Sequence, residues 1–239
     1  MNIILFGPPG AGKGTQGDKI VKKFDLHKVS TGDLLRNEIK NKTNLGNQIK
    51  SQMDEGSLIS DNTINDLISK VLSNKKFNNR LIFDGYPRNL NQAINLDQQI
   101  KMNKQKISCV LSLNVDKDVV IKRISGRQTC TNCGLIFNEH YFPASNKNHS
   151  CDPKFLNKRS DDNENTIKHR FETYLDKTLP ILNFYKEQNL LHHIEGKAGI
   201  DHIFKEIQGI LSCLENLDNS SLHPPQAGKI PKAASVNPI

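Results

Sequence analysis

The sequence predicts an α/β fold, a doubly wound parallel sheet of five strands that carries two inserted segments. Short apolar runs alternate with segments of helical periodicity, and this alternation is typical of strand–helix–strand units. A glycine-rich turn joins the first apolar run directly to the first helix. Residues 30–59 and 126–164 interrupt the alternation, because the first segment is helical without a strand and the second is polar and rich in turns. We therefore expect both segments to be mobile insertions carried on the core.

The first predicted strand, residues 3–6, leads into the spacing G-x-x-x-x-G-K from Gly7 to Lys13 and then into a helix. This is the pattern of a P-loop, in which glycines let successive backbone N–H groups point at phosphate oxygens. The positive end of the helix and the Lys13 ammonium both add positive charge at the same site. The hydroxyl stands one position later than in the general pattern, at Thr15, after Gly14. A turn with a purely structural role is the alternative.

The remaining elements follow in chain order. The remaining predicted strands are residues 26–29, 81–84, 107–115 and 190–194. One predicted helix ends near residue 40, one spans 45–55, one begins at 61, and two more span 116–125 and 200–214. The third strand ends in Asp84, as a Walker B strand ends in an acid, at the edge where parallel sheets bind ligands. A helix N-cap is the alternative role for Asp84.

Composition limits the class of protein. No apolar run approaches the roughly 18 residues of a membrane span, and the first apolar run is too short for a signal peptide. Five cysteines, an odd number, favour a reducing compartment, and we expect the cytoplasm. The net charge of +8 does not predict nucleic-acid binding, because the lysines are scattered. The proline-containing tail, residues 215–239, is predicted to be disordered; an expression remnant or a partner-binding segment is the alternative.

Four motifs together resemble those of the adenylate kinases. They are GPPGAGKGT at 7–15, STGD at 30–33, DGYPR at 84–88 and RSDD at 159–162, in the order and spacing of that family over residues 1 to about 214. The resemblance implies a P-loop core of 1–29, 60–125 and 165–214, an AMP-binding insertion of 30–59 and a long lid insertion of 126–164. It also implies a monomer.

The resemblance implies reversible transfer of the terminal phosphoryl group from ATP to AMP, giving two ADP. Such a reaction needs no protein nucleophile, because catalysis is positioning plus stabilisation of charge on the phosphoryl oxygens. Thr15 and Asp84 are expected to hold Mg²⁺, directly or through its waters. A GTP-using or other nucleoside monophosphate kinase is one alternative. A non-catalytic nucleotide-binding protein of the same fold is another.

The resemblance also implies the site residues. For ATP they are Gly10, Ala11, Gly12, Lys13, Gly14, Thr15, Arg123, Arg127, Ile136, Phe137 and Ala198. For AMP they are Thr31, Arg36, Ser57, Leu58, Ile59, Gly85, Tyr86, Pro87, Arg88, Gln92, Arg159 and Arg170. The catalytic set is Lys13, Arg88, Arg127, Arg159 and Arg170.

The arginines are informative because they are few. The chain has seven, and six of them stand where adenylate kinases have arginine: Arg36, Arg88, Arg123, Arg127, Arg159 and Arg170. Only Arg80 is left over, and a surface charge is the alternative for any single member of the set. Asp161 and Glu164 form the spacing of a capping box and predict a helix start there. By resemblance, Asp161 and Asp162 have a lid-hinge or arginine-orienting role.

Three cysteines in the lid resemble the zinc knuckle of some family members. Cys130 and Cys133 have the spacing of two zinc ligands, and Cys151 is the third. The family's fourth ligand would stand at Lys154, which cannot coordinate zinc. His149 or Asp152 is a candidate substitute, and a lid held by hydrogen bonds without metal is the alternative.

Overall fold

The computed structural model describes residues 1–147 and 149–222. Its main sheet is parallel and five-stranded, in the order β2-β3-β1-β4-β8. These strands are β1 (Ile3–Phe6), β2 (His27–Ser30), β3 (Leu81–Asp84), β4 (Cys109–Asn114) and β8 (Leu191–Glu195). The predicted fold class is confirmed, with strand bounds shifted by one or two residues.

Helices cover both faces of this sheet. The α-helices of the described residues are α1 (Lys13–Phe24), α2 (Thr31–Lys40), α3 (Asn44–Asp54), α4 (Asp61–Leu72), α5 (Leu90–Met102), α6 (Lys117–Ser125), α7 (Glu164–Thr173), α8 (Ile181–Glu187) and α9 (Ile200–Leu222). One face packs on α4, α5 and α8, and the other packs on α1 and α9. All four side chains of β1 are buried, as expected for a central strand covered on both sides.

The central strand sends alternate side chains into two separate cores. Ile4 and Phe6 belong to the first core, whereas Ile3 and Leu5 belong to the second. In the register of the sheet, Ile4 stands beside Phe83 on one side and beside Val110 on the other. The carboxyl ends of β1, β3 and β4 therefore open at one edge, where the glycine-rich turn follows β1.

The two interrupting segments have different structures. Residues 30–59 form α2 and α3, which pack against each other. The segment 126–164 contains a small antiparallel sheet in the order β6-β5-β7, which was not predicted. Its strands are β5 (Arg127–Cys130), β6 (Ile136–Asn138) and β7 (Leu156–Asn157).

Three details differ from the predictions. Helix α7 begins at Glu164 with Asn163 as its N-cap, so the expected helix start at the Asp161 capping box is wrong. A π-helical turn, Tyr174–Thr178, and α8 follow α7 and were not predicted. Helix α9 continues to Leu222, so the prediction of disorder is wrong for 215–222, and the rest of the predicted tail, 223–239, lies outside the described residues. No helix within the described ranges has the length and apolar character needed to span a membrane.

Candidate active site

A cavity of about 700 Å³ lies at the carboxyl edge of the main sheet. The turn after β1, the end of β3, both interrupting segments and the turn before α9 all contribute to its wall. A smaller cavity adjoins it between α2, the end of α3 and the start of α5. The topology therefore brings segments that are far apart in sequence to one cleft.

The turn after β1 is shaped for close approach of an anion to the backbone. Gly10 has φ of 76°, and a Cβ there would lie 2.6 Å from Cγ1 of Ile124. Gly12, the residue before α1, has φ of 96° and offers no side-chain cap to the first N–H groups of the helix. Those uncapped N–H groups and the helix dipole favour a bound anion.

Lys13 folds back over this turn. Its Nζ donates to the carbonyl oxygens of Gly7 at 2.7 Å and Pro8 at 2.9 Å. Burial lowers the pKa of Lys13 to about 8; Asp84 opposes this shift, and Arg88, Arg170 and Arg127 add to it. The ammonium therefore stands in a buried site where three arginines oppose its charge and Asp84 favours it.

Asp84 ends β3 and lines the same cavity as Thr15 and Lys13. It does not cap the next helix, because α5 is capped by Asn89, whose side chain accepts from the Gln92 N–H. The alternative reading of Asp84 as an N-cap is wrong. Its carboxylate is thus available at the wall of the cavity that the Thr15 hydroxyl also lines, and both are oxygen ligands suited to a divalent cation.

The six arginines predicted to form the site all line this cavity. Burial lowers the pKa of both Arg88 and Arg159 to about 10, and neighbouring arginines add to the shift in each case. So many guanidinium groups in one partly buried cleft repel each other, and an anion with several oxygens would relieve that repulsion.

Acidic partners hold three of these arginines in place. Arg127 forms a bidentate pair with Asp162, through Nε at 2.8 Å and through Nη2. Arg170 Nη1 donates to Asp161 Oδ2 at 2.6 Å. These pairs agree with the expected arginine-orienting role of the two acids and explain why the cap of α7 falls to the next residue. Arg36 pairs in the same way with Asp33 at 2.5 Å.

Arg80, the arginine left over by the sequence analysis, lies elsewhere. Its Nη2 donates to Phe24 O at 2.6 Å and its Nε donates to Asp25 O at 3.1 Å, at the end of α1. It does not line the cavity described above.

The predicted AMP-side residues surround the smaller cavity and its junction with the larger one. Gly85 O accepts from Thr31 Oγ1 and from Arg88 Nε, each at 2.8 Å. Tyr86 differs from the rest, because its side chain is buried in the core and its hydroxyl donates to Asn65 Oδ1 at 2.8 Å. Tyr86 therefore supports the wall from behind.

Sequence reasoning missed several contributors. Thr178, in the π-helical turn, donates to Arg88 O at 2.8 Å and so fixes the backbone of that arginine. Tyr141 lines the larger cavity beside Ile136, Phe137 and Ala198, and Arg123 lies 5.7 Å from the centre of its ring. An aromatic residue in a polar insertion was the available signal for Tyr141; nothing in the sequence pointed to Thr178.

The lid brings together four potential metal ligands. Ligand atoms of Cys130, Cys133, His149 and Cys151 all lie within 4.8 Å of one another. Of the two candidate substitutes for the fourth ligand, it is His149 that stands in this group. Asp152 instead caps a short 3₁₀ turn and pairs with Lys154 at 3.3 Å. The residues fit a tetrahedral Cys₃His set.

Comparison with known proteins agrees with this geometry. The family model described as "Adenylate kinase" matches residues 5–190. A protein named adenylate kinase from Pelagibacter ubique is 45% identical over 211 residues, covering 88% of this chain and 99% of the relative. Proteins of the same name from Archaeoglobus fulgidus and Enterococcus faecalis are 36% and 38% identical, with 90% and 88% of this chain covered and 100% and 99% of the relatives.

Proposed function

The chain belongs to the adenylate kinase family, and from this membership we propose how its residues transfer the terminal phosphoryl group of ATP reversibly to AMP. The observation that carries the proposal is the convergence of Lys13, Asp84 and six arginines on one cavity. Membership of this family does not favour the two alternative functions, a kinase that uses GTP as the donor and a nucleotide-binding protein without catalytic activity.

We propose that the donor phosphates occupy the turn of residues 10–15. In the free protein the Lys13 ammonium rests on the Gly7 and Pro8 carbonyls. Phosphate oxygens would replace those two acceptors and bring the ammonium against the transferring group. The adenine of ATP would then lie by Arg123, Phe137 and Ala198, which line the same cavity.

Mg²⁺ would supply charge neutralisation between the donor phosphates. Thr15 and Asp84 fit this ion, because a hydroxyl and a carboxylate at one wall are the hard oxygen ligands that Mg²⁺ prefers.

The acceptor phosphate would be bound between Arg36 and Arg88, with Arg159 and Arg170 reaching the group in transit. Guanidinium forks offer paired donors to phosphate oxygens, and the contacts gain strength as water leaves the cleft. The acids beside these arginines keep the forks aimed at the cavity. No residue is required to form a covalent bond to the phosphoryl group.

Closure of the two insertions would exclude water from the transfer. A contact between them supports this: Ser160 Oγ donates to Asp54 Oδ1 at 2.8 Å, joining the base of the lid to the end of α3. Without such exclusion, water would compete with AMP for the phosphoryl group. We propose that 30–59 and 126–164 are the two moving units.

We also propose that the lid binds one Zn²⁺ through Cys130, Cys133, His149 and Cys151. Four closely spaced protein ligands indicate a structural zinc site. Metal analysis of purified protein should give about one zinc per chain, and His149→Ala should reduce it strongly. His202→Ala, at an exposed position of α9, is the matched control. Zinc-free protein whose lid melts unchanged in chelator would refute the site.

Two further proposals concern the oligomeric state and the location of the protein. The family suggests a monomer, which sedimentation of the full chain would test. Five free cysteines support a reducing compartment such as the cytoplasm, and cell fractionation would test that.

The experiment that tests the function is a phosphotransfer assay over a panel of donors and acceptors. ATP with AMP should give ADP at the highest kcat/KM of any pair. Failure to form ADP from this pair would overturn the proposal.

A further inference from the structure

The amide of Gln92 is held from two sides. Gln92 lies in the first turn of α5 and is 2% exposed. Its Oε1 accepts from the backbone N–H of Arg88 at 2.8 Å, and its Nε2 donates to Asp61 Oδ1 at 2.7 Å. Both halves of the amide therefore have a partner inside the protein.

These two partners permit a single orientation of the amide. A backbone N–H can only donate, so the atom facing Arg88 must be the amide oxygen. A carboxylate can only accept, so the atom facing Asp61 must be the amide nitrogen. Turning the amide by 180° would set oxygen against the carboxylate and nitrogen against the N–H, and would replace both hydrogen bonds by repulsion.

The orientation matters because a purine edge can be read in two opposite ways. Adenine presents a 6-amino donor beside the N1 acceptor, whereas hypoxanthine and guanine present an O6 acceptor beside an N1–H donor. Gln92 lines the smaller cavity with Thr31, Leu58 and Ile59. Its oxygen keeps a second lone pair and its nitrogen keeps a second hydrogen, which together complement adenine.

We propose that Asp61 is a positioning residue that sets the base specificity of the acceptor site by fixing the amide of Gln92 in the orientation that suits adenine. The inference rests on the proposed function, in which Gln92 meets the acceptor base. Among the described residues, Asp61 does not line either cavity, so it acts through Gln92.

Asp61 is itself anchored for this role. It is the first residue of α4, which Ser60 caps, and the same Oδ1 accepts from Asn89 Nδ2 at 2.8 Å. Asn89 in turn caps α5 by accepting from the Gln92 N–H at 2.9 Å. The Asp61 carboxylate thus links the first turn of α4 to the start of α5 and holds the Gln92 amide in place there.

The test compares AMP with IMP as acceptor, with ATP as donor. Asp61→Asn keeps the size of the side chain, but its own amide can face a flipped Gln92 as well as the native one. The Arg88 N–H still favours the native amide in this variant, so we expect the ratio of kcat/KM for AMP to that for IMP to fall several-fold, because only one of the two groups that fix the amide is lost. A merely structural role would lower both values together, and an unchanged ratio would overturn the proposal.

Two further variants make the result specific. Asn89→Ser keeps a good helix cap and removes only the second hydrogen bond to Asp61, so it should change the ratio much less than Asp61→Asn does. If Asp61→Asn folds poorly, Asp61→Ser can replace it, because the serine hydroxyl can both donate and accept. Equilibrium titration of that variant with AMP and with IMP then measures the ratio of the two affinities.

Gln92→Leu separates this inference from the proposed function. An unchanged AMP-to-IMP ratio in Gln92→Leu would show that the proposed base contact is wrong. A lost preference in Gln92→Leu, with the ratio retained in Asp61→Asn, would overturn the role of Asp61 alone.

Discussion

Arg170 and Asp161 form a largely buried ion pair in which Nη1 lies 2.6 Å from Oδ2. The pair joins the last turn of α7 to the base of the lid and aims the guanidinium at the cavity. Burial lowers the pKa of Arg170, and the Asp161 carboxylate opposes that shift. The acid therefore keeps a cation stable in a cleft that would otherwise disfavour it.

Asp161→Asn should lower kcat/KM for the ATP–AMP reaction by about tenfold or more. The substitution keeps the shape of the side chain but removes a charge-assisted hydrogen bond, which is worth roughly 1.5–3 kcal/mol. Steady-state rates with each substrate varied in turn provide the measurement. Asp97→Asn, which breaks the surface pair with Lys101, is the matched control and should leave the rates unchanged. Equal rates in Asp161→Asn and the wild type would contradict the orienting role.

ATP binding should be linked to proton uptake above pH 8. The pKa of Lys13 in the free protein is about 8, chiefly because of burial, and contact with phosphate oxygens should raise it. Affinity for ATP should thus fall as pH rises through 8 to 9. Calorimetry in buffers with different ionisation enthalpies, at pH 8.5, measures the uptake directly. Lys13→Met should show no such uptake and should lose turnover by two or more orders of magnitude while remaining folded.

The same pKa gives a stability prediction with a definite sign. Lys13 titrates at about 8 in the folded protein and near its ordinary value of 10.5 when unfolded. Between those values the unfolded state binds more protons, so this group makes the free energy of unfolding rise with pH across that window. Urea titrations of wild type and Lys13→Met at pH 7.5 and 9.5 isolate the contribution. A wild type that gains no stability relative to Lys13→Met between these pH values would contradict it.

Gly46→Ala should weaken the acceptor site without touching the donor site. A Cβ at residue 46 would overlap the carbonyl oxygen of Glu38, where α3 packs closely on α2. Because that oxygen belongs to the backbone, the two helices must separate, and KM for AMP should rise several-fold while KM for ATP stays constant. Gly209→Ala, in α9 where a Cβ meets nothing within 4 Å, is the control and should be neutral or add about 0.5–1 kcal/mol of stability. A parallel rise in both KM values would count against a local effect.

The main sheet was predictable because its strands are uninterrupted apolar runs. Ile3, Ile4 and Leu5 must be buried on both faces, and a parallel sheet between helix layers provides that burial. The glycine spacing and the lysine then fixed the turn. The six arginines of the cavity could be selected in advance because arginine is scarce in this chain and six of the seven stand where adenylate kinases have arginine.

The lid sheet was not predictable from local pattern. Strand β5 reads Arg-Gln-Thr-Cys, without the apolar alternation of a half-buried strand, and β7 has only two residues. Their pairing depends on contacts between distant positions, such as Thr131 N–H with Phe155 O. The start of α7 was misplaced for a related reason: the carboxylates of Asp161 and Asp162 bind arginines, so Asn163 accepts from the Thr166 N–H instead.

Arg80→Ala should reduce stability and leave catalysis intact. The guanidinium donates to two carbonyls at the end of α1 and lies 3.8 Å from the Glu215 carboxylate of α9, so it links these two helices outside the cavity. Loss of these bonds should cost about 1–2 kcal/mol, or a few degrees in Tm for a chain of this size. Arg80→Lys keeps the charge but not the forked guanidinium. Its stability should lie between those of the wild type and Arg80→Ala, because a single ammonium cannot replace both donor positions. Thermal unfolding and initial rates on the same samples provide the measurement. A fall in kcat comparable to that of Arg127→Ala would mean that all seven arginines serve the reaction, and that their division between site and scaffold is wrong.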